Sequence, residues 1–82
     1  MIISLGNNVY IEGNAIRIIL PSESPASKQI EEEAKKRNKL YNITGKRKRR
    51  SLVVMSDGST FYSLLKAETI YKRLNKKGET EE

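Results

Sequence analysis

Ser51-Leu52-Val53-Val54-Met55-Ser56-Asp57-Gly58-Ser59-Thr60-Phe61-Tyr62-Ser63-Leu64 is the stretch on which the fold turns. Leu52 to Met55 is the longest apolar run in the chain. It is uninterrupted and contains β-branched residues, the pattern of a strand buried on both faces. Asp57-Gly58 is a strong turn signal, and Thr60 to Leu64 resumes β-forming residues, so the stretch predicts an antiparallel hairpin around a central strand. Ala67, Ile70, Tyr71 and Leu74 then recur at helical spacing. Lys72, Arg73, Lys76 and Lys77 gather where cations suit the negative end of a helix dipole. The last residues, 78–82, are expected to be a disordered acidic tail, leaving residues 1–77 as a single domain.

Upstream, Leu40 to Ile43 is a further strand candidate, separated from the hairpin by Thr44-Gly45 and an unbroken run of five cations, Lys46-Arg47-Lys48-Arg49-Arg50. A helix is expected from Pro25 to about Arg37. Ser24 supplies the N-cap, and proline at the first position loses no hydrogen bond there. Glu31, Glu32 and Glu33 stand four residues ahead of Lys35, Lys36 and Arg37, the favourable order for three ion pairs. The narrow apolar stripe of Ala26, Ile30 and Ala34 makes this helix a brace on the sheet. Ala15 to Leu20 reads as a strand with Ile16, Ile18 and Leu20 on one face and Arg17 and Ile19 on the other. Ile2 to Leu5 and Val9 to Ile11 make a first hairpin around Gly6-Asn7-Asn8. The fold class is therefore α+β, a mainly antiparallel sheet with two helices.

The chain has 82 residues, of which 37% are hydrophobic, with one Phe and no Trp. So thin a core favours burial between subunits, because a domain this small leaves much of its apolar surface uncovered. A homo-oligomer is expected, with Ile19 and the Ile2–Leu5 edge as candidate interface positions. Sixteen basic residues face ten acids, for a net charge of +6. Three of those acids, Glu79, Glu81 and Glu82, lie at the C-terminal end, which leaves residues 1–78 at +9. Such a charge draws polyanions. There is no Cys and no His, which removes disulfides, thiolate metal sites and the commonest metal ligand and general base. No carboxylate pair, activated nucleophile or phosphate-cradling glycine loop is evident either. No enzyme, catalytic residue, metal, cofactor or small-molecule substrate is expected. Neither a signal peptide nor a membrane span is visible, since no apolar run approaches ~20 residues, and a cytoplasmic location is expected.

The basic run is the one feature that asks for a partner. Five adjacent cations repel one another unless a polyanion supplies countercharge. Arginine adds bidentate recognition of phosphate. No aromatic residue falls inside the run, so stacking on unpaired bases has little support, and contact with the backbone of double-stranded DNA fits better. A rival reading is an adaptor whose basic loop docks on an acidic protein or an anionic lipid surface.

Arg17-Ile18-Ile19, the turn Ser22-Glu23-Ser24-Pro25 before a helix, the basic loop, Leu52-Val53-Val54-Met55-Ser56-Asp57 and Glu68-Thr69-Ile70-Tyr71-Lys72-Arg73-Leu74 follow one another in a characteristic order. In this the chain resembles the small bacterial RemA/RemB-type regulators of extracellular-matrix genes, from Gly6 to about Leu74. The resemblance implies a DNA-binding transcriptional regulator or architectural protein of biofilm formation. It also implies a fold similar to LytTR-type DNA-binding domains and assembly into ring-like homo-oligomers. Arg47, Lys48 and Arg50 align with the family's basic loop positions, Lys46 and Arg49 extend them, and Arg17 stands two residues after the position of the family's DNA-linked arginine.

Overall fold

The computed structural model describes residues 1–6 and 8–79. In chain order these form β1 (Ile2–Gly6), β2 (Val9–Glu12), a 3₁₀ turn (Gly13–Ala15), β3 (Ile16–Pro21), α1 (Pro25–Lys36), β4 (Leu40–Tyr41), β5 (Ser51–Met55), β6 (Thr60–Ser63) and α2 (Ala67–Glu79). The architecture is α+β, with a two-stranded sheet β1–β2 and a four-stranded sheet in the order β3–β5–β6–β4. All pairings are antiparallel except β4–β6. The continuous apolar run is indeed the inner strand: β5 lies between β3 and β6, and Leu52 and Val53 are fully buried.

The hairpin closes where Asp57-Gly58 indicated. Met55 N–H donates to Ser59 O at 2.8 Å and Gly58 N–H to Met55 O at 3.0 Å, with Gly58 at φ +92°, a conformation that glycine adopts at no steric cost. The Asp57 carboxylate accepts the Ser59 N–H at 2.9 Å. That bond, with the Ser59 side chain next in weight, holds its pKa below the usual 3.8.

The two faces of β5 serve two layers. Val53 and Met55 point toward Ile3, Leu5 and Ile70, so that β1, β2 and α2 cover one face with the main core. Leu52, paired with Tyr62, belongs to the opposite face, along which α1 lies. α1 begins as expected, Ser24 Oγ accepting the Ser27 N–H at 3.2 Å with Pro25 at the first turn. Its end is set by Asn38 at φ +57°, with Asn38 N–H bonded to Lys35 O and Lys39 N–H to Ala34 O. This pair of reverse bonds is a Schellman closure with asparagine in the left-handed position. It sends the chain back as β4, parallel to β6, where Thr60 N–H donates to Lys39 O at 2.8 Å.

Two expectations change. The strict alternation read for Ala15–Leu20 fails because Ala15 ends the 3₁₀ turn and β3 has an irregular register between Ile16 and Ile18. A bulge adds a residue to one side of a ladder and reverses the faces beyond it. Ile16 and Ile19 therefore both pack on the core while Ile18 is exposed. The three expected ion pairs of α1 do not form; among the described residues the ion pairs are Met1–Glu12 and Glu68–Lys72. The helix α2 spans Ala67–Glu79, and residues 80–82 of the expected acidic tail lie outside the described residues. No helix among the described residues is long and apolar enough to cross a membrane.

Candidate nucleic-acid interface

The five cations occupy the loop between β4 and β5, and all five are exposed. Both ends of that loop are fastened. At its entry, Asn42 Oδ1 accepts from Thr44 N–H at 3.0 Å and from the Thr44 hydroxyl at 2.7 Å, with the Thr44 side chain buried. Gly45 follows at φ +66°, and Arg47 N–H donates back to Thr44 O at 3.2 Å, so a tight turn with glycine in its left-handed position launches the cations. At its exit, Arg50 N–H bonds to Ser63 O at 2.9 Å and Ser22 N–H to Arg50 O at 3.1 Å. The Ser22 hydroxyl also donates to Arg49 O at 3.0 Å. These bonds continue the β3–β5–β6 ladders for one residue beyond β5. A run that sequence alone allows to be a loose tether is thus a short loop held on a sheet.

Arg49 differs from its neighbours. Its guanidinium carbon lies 4.3 Å from the centroid of the Tyr62 ring. Tyr62 is buried on the α1 side of the sheet, and its hydroxyl faces the Glu31 carboxylate. Burial raises the Tyr62 pKa above its usual 10.0, the Glu31 charge raises it further, and the Arg49 charge opposes both. Glu31, expected to pair with Lys35 along the helix, instead joins a line from α1 through Tyr62 to the loop. Two depressions flank Arg49. The larger, about 500 Å³, runs over Lys46–Arg49 to Glu31 and Asn42. The smaller, about 200 Å³, runs over Lys48–Arg50 to Pro21 and includes Lys66. Ser22 and Glu23 border both.

Of the residues that the sequence pointed to, Lys46 to Arg50 are brought together and Arg17 is not. Arg17 is near the start of β3, opposite the end of β5, whereas the loop joins the sheet beside Pro21. At about 3.3 Å per strand residue, some 13 Å of strand separates the two. Arg17 borders instead two other depressions, one against α1 and one against α2. Lys66 and Glu23 were not picked out from the sequence, since neither adjoins the basic run in the chain.

The chain is thus a small α+β domain with an exposed, anchored cationic loop, and comparison with known proteins places it among regulators. Residues 2–74 match the model of the RemA-like family, described as extracellular matrix regulatory protein A-like. The chain belongs to that family. A relative from Bacillus cereus strain AH187, named as a regulatory protein, is 35% identical over 80 residues, covering 98% of this chain and 92% of the relative. Another so named, from Thermodesulfovibrio yellowstonii, is 34% identical over 76 residues, covering 92% and 88%. A third, from Bacillus mycoides, is 34% identical over 80 residues.

Proposed function

We propose that this member of a family of extracellular-matrix regulators acts as a cytoplasmic DNA-binding transcriptional or architectural regulator of biofilm-matrix genes. On this reading it grips duplex phosphates through Lys46, Arg47, Lys48, Arg49 and Arg50, with Arg17 as a separate contact. The observation that carries it is the loop itself: five exposed cations on an anchored turn, none in an ion pair among the described residues. The hydrogen bonds at both ends hold the cations near one another before any partner arrives, so a polyanion gains countercharge contacts without first ordering the chain.

Oligomerisation is part of the proposal. Beside β3, an edge strand of its sheet, a depression of about 480 Å³ is lined by Ile16, Ile19, Tyr71 and Leu74. Tyr71 is 59% exposed and Ile18 38%. Because Ile19 also packs on the core, Tyr71→Glu is a cleaner probe of assembly than Ile19→Glu. The test is a gel-shift titration across salt with duplex DNA. About three phosphates neutralised per engaged subunit give a slope of log K on log salt near −2.7 per subunit. Arg47→Ala with Lys48→Ala is expected to abolish binding without lowering the melting temperature. A salt-independent affinity, or normal binding by the double variant, refutes the loop mechanism.

A further inference from the structure

Lys66 is sixteen residues beyond Arg50 in the chain, yet it shares a depression with the end of the basic loop. Its position follows from the geometry of β6. Arg50 N–H pairs with Ser63 O, which aligns the loop's exit with the end of that strand. The buried Ser63 hydroxyl donates to Leu5 O at 2.7 Å and accepts the Leu65 N–H at 3.1 Å. It thereby ends the strand in a side-chain turn and fixes where the chain leaves the sheet. Lys66 is the next residue, exposed and immediately before α2.

We infer that Lys66 completes a phosphodiester seat with Lys48 and Arg50, a contact with duplex DNA made from outside the basic loop. The inference rests on the DNA-binding reading above. Ser22 and the Glu23 carboxylate also border the depression, so it gathers four cations, Arg49 included, against one acid. Among the described residues no ion pair involves any of the four cations or Glu23. A phosphodiester group is small and carries one negative charge, shared by its two non-bridging oxygens. A depression of about 200 Å³ bordered by lysines and arginines of both the loop and the segment after β6 suits it, whereas the lining of the larger depression on the other side of Arg49 includes no cation from beyond the loop. The bend set by Ser63 gives the seat a cation on each of two neighbouring chain segments, and so a preferred direction for the DNA backbone across the sheet end. A loop alone lacks that direction.

Fluorescence anisotropy with a labelled 30-base-pair duplex, across a salt series, tests this with the unaltered protein, Lys66→Gln, Lys66→Arg and the Arg47→Ala/Lys48→Ala double variant. Lys66→Gln is expected to make the salt slope shallower by about 0.9 per engaged subunit. It should weaken binding roughly two- to fivefold per subunit, the range of one exposed charge contact. Its melting temperature should not change, and Lys66→Arg should restore both slope and affinity. Lys66→Gln with the slope and affinity of the unaltered protein overturns the inference while leaving the DNA-binding reading intact. A loss that accompanies a lower melting temperature and is not restored by Lys66→Arg overturns it as well. Salt-independent or absent binding by the unaltered protein, or full binding by the double variant, refutes the underlying reading and this inference with it.

Discussion

Replacing Arg49 by Ala should separate anchoring from binding within a single run of cations. With its guanidinium carbon 4.3 Å from the Tyr62 ring centroid, Arg49 makes a cation–π contact. The side chain is exposed, so the contact is worth about 0.5–1 kcal/mol, the lower part of the range for such pairs. In a domain of 60–100 residues each kcal/mol moves the melting temperature by about 4–8 °C. Arg49→Ala should therefore melt roughly 2–8 °C lower. Arg47→Ala and Lys48→Ala remove exposed side chains without such a contact, and should remain within about 0.5 kcal/mol of the unaltered protein. At low salt they should shift slightly upward, because each removes one term of like-charge repulsion from the loop.

Differential scanning measurements at fixed protein concentration decide between these outcomes; the fixed concentration matters because self-association shifts apparent stability. The pair can be isolated by a double-mutant cycle of Arg49→Ala with Tyr62→Leu, in which the second substitution should cost less once the first is made. Tyr62→Phe keeps the ring and should keep most of the coupling. If Arg49→Ala and Arg47→Ala melt together, the stacked arginine contributes nothing and the division of labour inside the loop is refuted. If Arg49→Ala loses stability yet binds DNA with an unchanged salt slope, Arg49 is an anchor alone.

Glu23 borders both cationic depressions, so Glu23→Gln should tighten DNA binding roughly twofold to fivefold, with the largest gain at low salt; unchanged or weaker binding counts against the placement of DNA there. The raised Tyr62 pKa means that the folded state holds the phenolic proton more tightly than the unfolded state, so its contribution is complete below about pH 10 and lost as pH rises through the folded value. Thermal melts above pH 10 should show this decline, and Tyr62→Phe should flatten it. Ser51 Oγ is buried and has no hydrogen-bond partner among the described residues, so Ser51→Ala should raise stability by about 1 kcal/mol by removing a desolvated hydroxyl; a lower melting temperature would show that the hydroxyl is satisfied in the working protein.

The strands and helices could be read from the sequence wherever a local rule governs them. The Asp57-Gly58 turn, the Ser24-Pro25 cap and the four-residue run of β5 each specify a conformation within a few bonds, and each appears where expected. The failures arise from contacts that chain spacing does not encode. Alternation along β3 breaks at a bulge determined by the ladder with β5, which exchanges Ile18 and Ile19 between solvent and core. Glu31 forgoes its helical neighbour Lys35 for Tyr62, a residue on another element whose burial only the assembled sheet defines. The basic run was conspicuous as composition. Its anchorage through Thr44, Ser22 and Tyr62 was not, and Lys66 enters the same surface only because Ser63 bends the chain at the end of β6.

On the proposed reading, one loop is not enough. Three phosphate contacts place a single subunit in the non-specific range, about 10⁻⁴–10⁻⁶ M at physiological salt. An assembly that presents several loops on one rigid body can raise this by ~10²–10⁴ through effective concentration alone. The fold favours such a division of surfaces. The cationic loop leads into the start of β5, where Ser51 pairs with Pro21, whereas Tyr71 and the depression against α2 sit toward the start of β3 and the end of β5. A second copy docked there would cover apolar surface without occluding the cations. Arg17 borders this apolar depression rather than either of the two that flank Arg49, so in an assembly it would stand near a subunit boundary. A DNA contact through Arg17 would then depend on assembly, whereas the loop's own contacts would not. The Tyr71→Glu protein should accordingly retain the weak, salt-dependent binding of a single loop and become indifferent to Arg17→Ala.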